Sequence, residues 1–383
     1  MTTTEAARPR TIGLLPPLGG SLTSLEATGQ VARLLDFYLP AYLEHFDRVL
    51  FFSCQHESLE HFTSDRTLLR RTRVVLPPIS RDGRLAGVAR LLGRAELQRC
   101  SVLRALQAPG ALPALASTVP LVVTYGYSYL EVSRYAERRP TVEAVRQVAL
   151  AGLLRAVLRR AQVTLLTNPA LEHEARRYGA RRLVVIPNGV PLDLFTPASD
   201  PREAAYDVVL LGRLSNEKSV ELVARAAALL DRPLRVCLVG DGPLRAELEA
   251  EFESCGAEAD FLGTRPYGEL PEILRSASIF VLPSATEGRA KAFLEAMACG
   301  LPCVVSDIPA FADIVADGAA IAFPPRDVSA LARVLQELLA DPGRRSRQGR
   351  AGRAYVERAA SLERALLEEA GMLSDLASRG VAA

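Results

Sequence analysis

The chain has 383 residues, more than one hydrophobic core normally serves, so two domains of roughly 100–200 residues each are expected. With 49% apolar residues and a formal charge of +2 it lacks the strongly basic balance of a general nucleic-acid binder, while a small anion stays within reach. No run attains the roughly 18–20 apolar residues of a membrane span, and the polar start Met1–Arg10 leads into an apolar run too brief for a signal peptide.

Short apolar runs alternate with stretches of helical periodicity from end to end, the pattern of parallel strands joined by helical crossovers. Strands are expected at TIGLL (11–15), RVLFFS (48–53), RVVLP (73–77), LVVTYG (121–126), VTLLT (163–167) and LVVIP (183–187). The turn-forming cluster Pro187-Asn188-Gly189 closes this half. The pattern then restarts with DVVLLG (207–212), RVCLVG (235–240), ADFLG (259–263), SIFVLP (278–283), PCVVSD (302–307) and AAIAF (319–323), followed by a helix over 327–340 and an amphipathic tail. The fold class is therefore α/β, with two Rossmann-like doubly wound domains at 1–188 and 189–365, and a terminal helix at 366–383 packing back toward the first. Ligands of such sheets sit outside the carboxyl ends of the strands, so a cleft between two facing sheets is the expected site.

Six cysteines, Cys54, Cys100, Cys237, Cys255, Cys299 and Cys303, form no CxxC pair. A reduced, cytoplasmic chain is expected, with at most peripheral contact at the inner membrane surface; the arginines of LLRAVLRRA (153–161) read as an exposed face. Only two lysines occur, Lys218 and Lys291, against 46 positive side chains in all. A composition so poor in lysine draws attention to what those two hold.

DVVLLG runs into Arg213 and, five residues later, Lys218 at the start of an expected helix. A strand-end glycine, two cations and a helix N-terminus suit a diphosphate. The second lysine lies in LPSATEGRAKAFLEAMACGLP, where Glu287 occupies a loop and Glu295 stands one turn inside a helix. Glu295 suits the hydroxyls of a ribose, Glu287 those of a sugar, and Lys291 adds charge at the helix start. The plainer alternative makes Glu287 a turn carboxylate and Glu295 a surface partner of Lys291 at i, i+4. The apolar residues flanking Glu295 argue against it, because they would bury that face.

At these residues the chain resembles the family-4 glycosyltransferases, glycosyl transferases group 1, which are retaining enzymes of the GT-B fold. The resemblance runs over 207–307 through LLGRLSNEKS, CLVGDGPLRAELE, FLGTRPYGELPEILRSASIFVLPSATEG and KAFLEAMACGLPCVVSD. It implies that Arg213 and Lys218 contact a donor diphosphate, Glu287 and Gly288 the donor sugar, and Glu295 the ribose, with the backbone near Arg265 facing the base. Lys291 supports the donor loop. Gly19-Gly20, after the first strand, resembles the family's glycine loop near the donor phosphates, which places Gly20 beside the chemistry. The implied activity is hexosyl transfer from a nucleoside diphosphate sugar, UDP-linked by family frequency, to a glycan, lipid-linked or natural-product acceptor, with no cofactor, no metal and no nucleic-acid partner. The chain departs from the family where many members have Gly-Phe-Gly after the first glutamate, for it has Gly288-Arg289-Ala290. It also lacks a histidine in PLVVTYGYSYLE, and His45, His56, His61 and His173 lie elsewhere. Three rivals follow: a noncatalytic subunit that keeps the nucleotide-sugar pocket, an epimerase, for which acid and base residues are missing, and a Rossmann oxidoreductase, for which no G-x-G-x-x-G follows an opening strand.

Overall fold

The computed structural model describes residues 9–76, 94–135, 140–198 and 204–381, so the polar start before Pro9 and the expected strand end at Pro77 lie outside the described residues. The chain divides into two compact units, one of Met1–Gly126, Ala144–Ile186 and Leu366–Ala383, the other of Tyr127–Glu143 and Pro187–Ala365.

The first unit holds a parallel sheet of β1 (Thr11–Leu15), β2 (Arg48–Phe52), β3 (Thr72–Val75), β4 (Val102–Ala105), β5 (Leu121–Tyr125), β6 (Val163–Leu166) and β7 (Leu183–Val185). Its order is β3-β2-β1-β4-β5-β6-β7. Ile12, Leu14, Val102, Val122 and Val163 are wholly buried, which is why the central strands read as unbroken apolar runs. One strand corrects the expectation: β4 was not anticipated, because Arg104 interrupts its apolar run. Arg104 is only 4% exposed and forks onto Glu369, with Nε 2.6 Å from Oε1 and Nη2 3.2 Å from Oε2. The hydroxyl of Tyr42 donates to the same carboxylate. Glu369 belongs to the terminal helix Leu362–Val381, whose Leu366, Ala370, Leu373 and Ala377 are buried at helical spacing.

The second unit holds β8 (Tyr206–Leu211), β9 (Arg235–Val239), β10 (Glu258–Gly263), β11 (Ala277–Leu282), β12 (Cys303–Ser306) and β13 (Ile321–Phe323), all parallel, in the order β10-β9-β8-β11-β12-β13. Its core gathers Val208, Leu210, Val236, Leu238, Ile279 and Val281 under the helix Val328–Ala340; at about 25 cal/mol per Å², each such side chain contributes roughly 1.5–3 kcal/mol. In both sheets the strand order reverses beside the opening strand, between β1 and β4 and between β8 and β11. That reversal is where doubly wound folds accept ligands.

Candidate active site

At the reversal in the second unit, the loop leaving β8 lies directly against the loop leaving β9. Gly212 donates to the Val239 carbonyl at 2.9 Å and Leu214 to that of Asp241 at 3.0 Å. Gly240 makes this approach possible: its φ is 124°, and a Cβ there would stand 2.0 Å from the Gly212 oxygen. The seating of Arg213 thus depends on the glycines of VGDGPL. After Arg213 the chain makes a single 3₁₀ turn, Asn216–Lys218, ending on Ser219 in the left-handed region at φ 50°. This corrects one expectation. Lys218 closes that turn, and the following helix begins only at Glu221.

Within the turn, Glu217 gathers the loop. Its carboxylate accepts from the Ser215 hydroxyl at 2.7 Å and from Arg213 Nη2 at 3.1 Å, while its carbonyl accepts from the Ala285 amide at 2.8 Å. Burial works against ionisation of Glu217, yet the Ser215, backbone and Arg213 hydrogen bonds outweigh it and hold the carboxyl below the usual glutamate range. Glu217 and Ser215 were missed at the level of sequence, although Glu217 adjoins the lysine that was noticed and Ser215 stands three residues before it.

The loop leaving β11 supplies the opposite wall. Lys218 Nζ meets Glu287 Oε1, which also accepts from the Ser284 hydroxyl at 2.8 Å. The pair is largely shielded, its side chains being 20% and 11% exposed. Arg213 is the more open cation, with its side chain 65% exposed. Gly212, Arg213, Lys218 and Pro283 line an open-sided hollow at the strand ends.

Glu295 lies inside the helix Lys291–Ala298 and is 3% exposed, so the plainer surface alternative does not hold. Tyr267 donates its hydroxyl to Glu295 Oε1 at 3.0 Å, and the Tyr267 ring stands edge-on to Phe195. Gly288 is buried and Lys291 half-buried at the helix start. Arg265 is exposed in the turn after β10. Arg289, where the family pattern breaks, is anchored to Asp313 at 3.0 and 2.7 Å. Burial opposes ionisation of Asp313, but the Arg289 guanidinium outweighs it and keeps that carboxyl below its ordinary range.

Gly19 and Gly20 belong to the first unit. Gly19 adopts φ 73°, and Gly20 donates to the Pro17 carbonyl at 2.7 Å. Glu57 fastens the helix behind them, accepting from the Leu22 amide at 2.7 Å and the Thr23 amide at 3.0 Å. His56, His61 and His173 are exposed. Five sequence-predicted residues, Arg213, Lys218, Glu287, Gly288 and Glu295, therefore stand on the loops and helix at one switch point, with Lys291 opening that helix.

A family model of glycosyl transferases group 1 matches residues 195–355. The 2-deoxystreptamine glucosyltransferase of Streptomyces kanamyceticus is 28% identical over 327 residues, covering 76% of this chain and 84% of that one. The GDP-mannose-dependent monoacylated alpha-(1-6)-phosphatidylinositol monomannoside mannosyltransferase of Corynebacterium glutamicum is 28% identical over 269 residues, 65% of this chain and 66% of that one. Across the first four curated relatives the aligned share of their own length runs from 36% to 84%. Among solved structures, HepE from Anabaena in complex with UDP-glucose superposes with a TM-score of 0.72 at 18% identity, covering 95% of this chain and 99% of that one. The fold is of the GT-B class, α/β with two parallel sheets. No described helix is long and apolar enough to cross a membrane.

Proposed function

We propose that this chain, whose residues 195–355 match the glycosyl transferases group 1 model, moves a hexosyl group, with retention at the anomeric carbon, from a UDP-linked sugar to a hydroxyl on a glycan, lipid-linked intermediate or natural product. One observation carries the reading: at the switch point of the second unit Lys218 touches Glu287, while Arg213, on the same loop and more exposed, is held by Glu217.

In the proposed reaction Arg213 and Lys218 bind the diphosphate, Glu287 and the Gly288 amide the hexose, and Glu295 the ribose hydroxyls. The backbone near Arg265 faces the base. Lys291 supports the loop at the helix start, and Gly19 and Gly20 offer backbone amides. Residues 189–365 take the donor and 1–188 the acceptor. On donor binding, Lys218 exchanges the Glu287 carboxylate for phosphate oxygens, and that carboxylate turns to the sugar. The bond from anomeric carbon to diphosphate oxygen then breaks, and preplaced cations stabilise the charge that develops on the leaving group. The acceptor oxygen forms its bond on the same face, and its proton passes to the departing phosphate oxygen. No protein base is needed, which suits a site whose nearest carboxylates are engaged.

The UDP-glucose complex of HepE supports a uracil base, and the Corynebacterium relative's name supplies the rival, GDP. The two curated names also span a natural-product and a lipid acceptor. A thermal-shift panel of UDP, GDP, ADP and their sugars tests the donor, since a ligand at 100 times its Kd adds about 2.7 kcal/mol of stability. A UDP-sugar should shift Tm most. A shift by guanine nucleotides alone replaces the base, and no shift by any of them removes the reading. An inverted product anomer by proton NMR overturns retention.

A further inference from the structure

The stretch Gly288-Arg289-Ala290, at which this chain leaves the family pattern, is held at Arg289 by both side chain and main chain. The Arg289 side chain is 2% exposed and forks onto both oxygens of Asp313, itself 44% exposed. Asp313 also accepts from the Tyr355 hydroxyl at 3.2 Å, so the helices Ala312–Ala316 and Pro342–Ala359 meet at this carboxylate. The main chain is tied as well: Asn188 Nδ2 donates to the Arg289 carbonyl at 2.6 Å. Two residues earlier, Glu287 is fixed by Lys218 and Ser284, and two residues later the helix Lys291–Ala298 begins.

Burying a guanidinium against one half-exposed carboxylate is a poor way to gain stability, because desolvation offsets much of the attraction. What it supplies is geometry. A planar fork on a carboxylate fixes orientation in a way a point charge does not. With side chain and carbonyl both held, residue 289 has little freedom, and Gly288 is suspended between two anchored neighbours.

We propose that Arg289 is a positioning residue: with Asp313 behind it and Asn188 on its carbonyl, it sets the Glu287–Gly288 segment at the place the donor hexose requires. The inference rests on the proposed donor site. It predicts a loss in turnover with little loss in nucleotide binding, because the residues assigned to diphosphate and ribose lie outside this clamp.

The test uses the full chain, with the panel nucleotide sugar that stabilises the wild type most as donor probe, its hydrolysis followed by nucleoside diphosphate release, and nucleoside diphosphate Kd and stoichiometry by calorimetry. Arg289→Lys should lower the saturated rate per nucleotide-binding site by about 10–10²-fold, the scale of a misplaced catalytic group, with Kd within about threefold of wild type. Asp313→Asn and Asn188→Ala should move in the same direction by smaller factors, and they decide the matter if Arg289→Lys fails to fold. A purely structural role lowers Tm and binding stoichiometry but leaves the rate per binding site unchanged, and that result for Arg289→Lys and Asn188→Ala overturns the proposal. A wild type that binds no panel nucleotide overturns the donor reading and this inference with it, before any variant is made.

Discussion

The two units offer the same topological opportunity, and only the second adds cations to it. In the first, the loops after β1, β2 and β4 border an open hollow lined by Leu15, Leu18, Gly19, Phe52, Cys54 and Pro113, with no charged side chain. In the second, the corresponding open hollow is lined by Arg213 and Lys218 as well as apolar side chains. A doubly wound sheet settles where a ligand can sit, while the loop residues decide what kind. Charge follows the same division. Among the described residues, the best-shielded ion pair of the first unit, Arg104 with Glu369, lies within its fold, between a central strand and the terminal helix. That of the candidate site, Lys218 with Glu287, lies on loops at strand ends. Loss of the first should therefore be read in stability and loss of the second in turnover.

The largest expected effect tests the first half of that contrast. Glu369→Ala leaves the Arg104 guanidinium and the Tyr42 hydroxyl buried without their shared partner, at a cost of about 3–5 kcal/mol in denaturant unfolding. Nucleotide affinity per folded molecule should stay as in the wild type. A cost below about 1 kcal/mol would remove the contrast.

Lys218→Ala comes next. Turnover should drop about 10²-fold, roughly 2.7 kcal/mol of transition-state stabilisation, with little change in Tm. Glu295→Gln sharpens the point, because it keeps an acceptor for Tyr267 and should raise the donor KM while turnover stays near wild type. If Lys218→Ala instead unfolded the protein and kept full turnover per folded molecule, its pair would be structural like that of Arg104.

The smallest effect concerns pH and a pair inside the second unit. Asp207 is 4% exposed and receives Arg232 Nη2 at 2.8 Å and the Arg235 amide at 2.9 Å. Burial opposes its ionisation, but these partners outweigh it and depress its folded-state pKa below the ordinary 3.8. A depressed carboxyl contributes stability that is present above its unfolded value and lost as pH falls through its folded one. Asp207→Asn should therefore lower stability at neutral pH and flatten the acid side of the profile below 3.8. An unchanged acid limb would show that Asp207 gains nothing from its arginines.

Much of this architecture is written locally. A strand buried on both faces needs an apolar run, and TIGLL, DVVLLG and SIFVLP announce themselves for that reason. The candidate site is local too, since Lys218, Glu287 and Glu295 follow strand ends in a regular order. The hidden parts depend on partners far along the chain. The strand β4 carries an arginine that makes sense only beside a glutamate 265 residues later. The helix Pro342–Ala359, rich in Gly and Arg, lacks an apolar stripe, and Gly349 is there because a Cβ would stand 1.9 Å from the Gly300 oxygen. Arg289 looked like a break in a motif until Asp313, 24 residues on, closed its fork. Burial period is a property of neighbouring residues and so survives in sequence; the compensation of a buried charge is a property of a contact, and only the folded chain makes it.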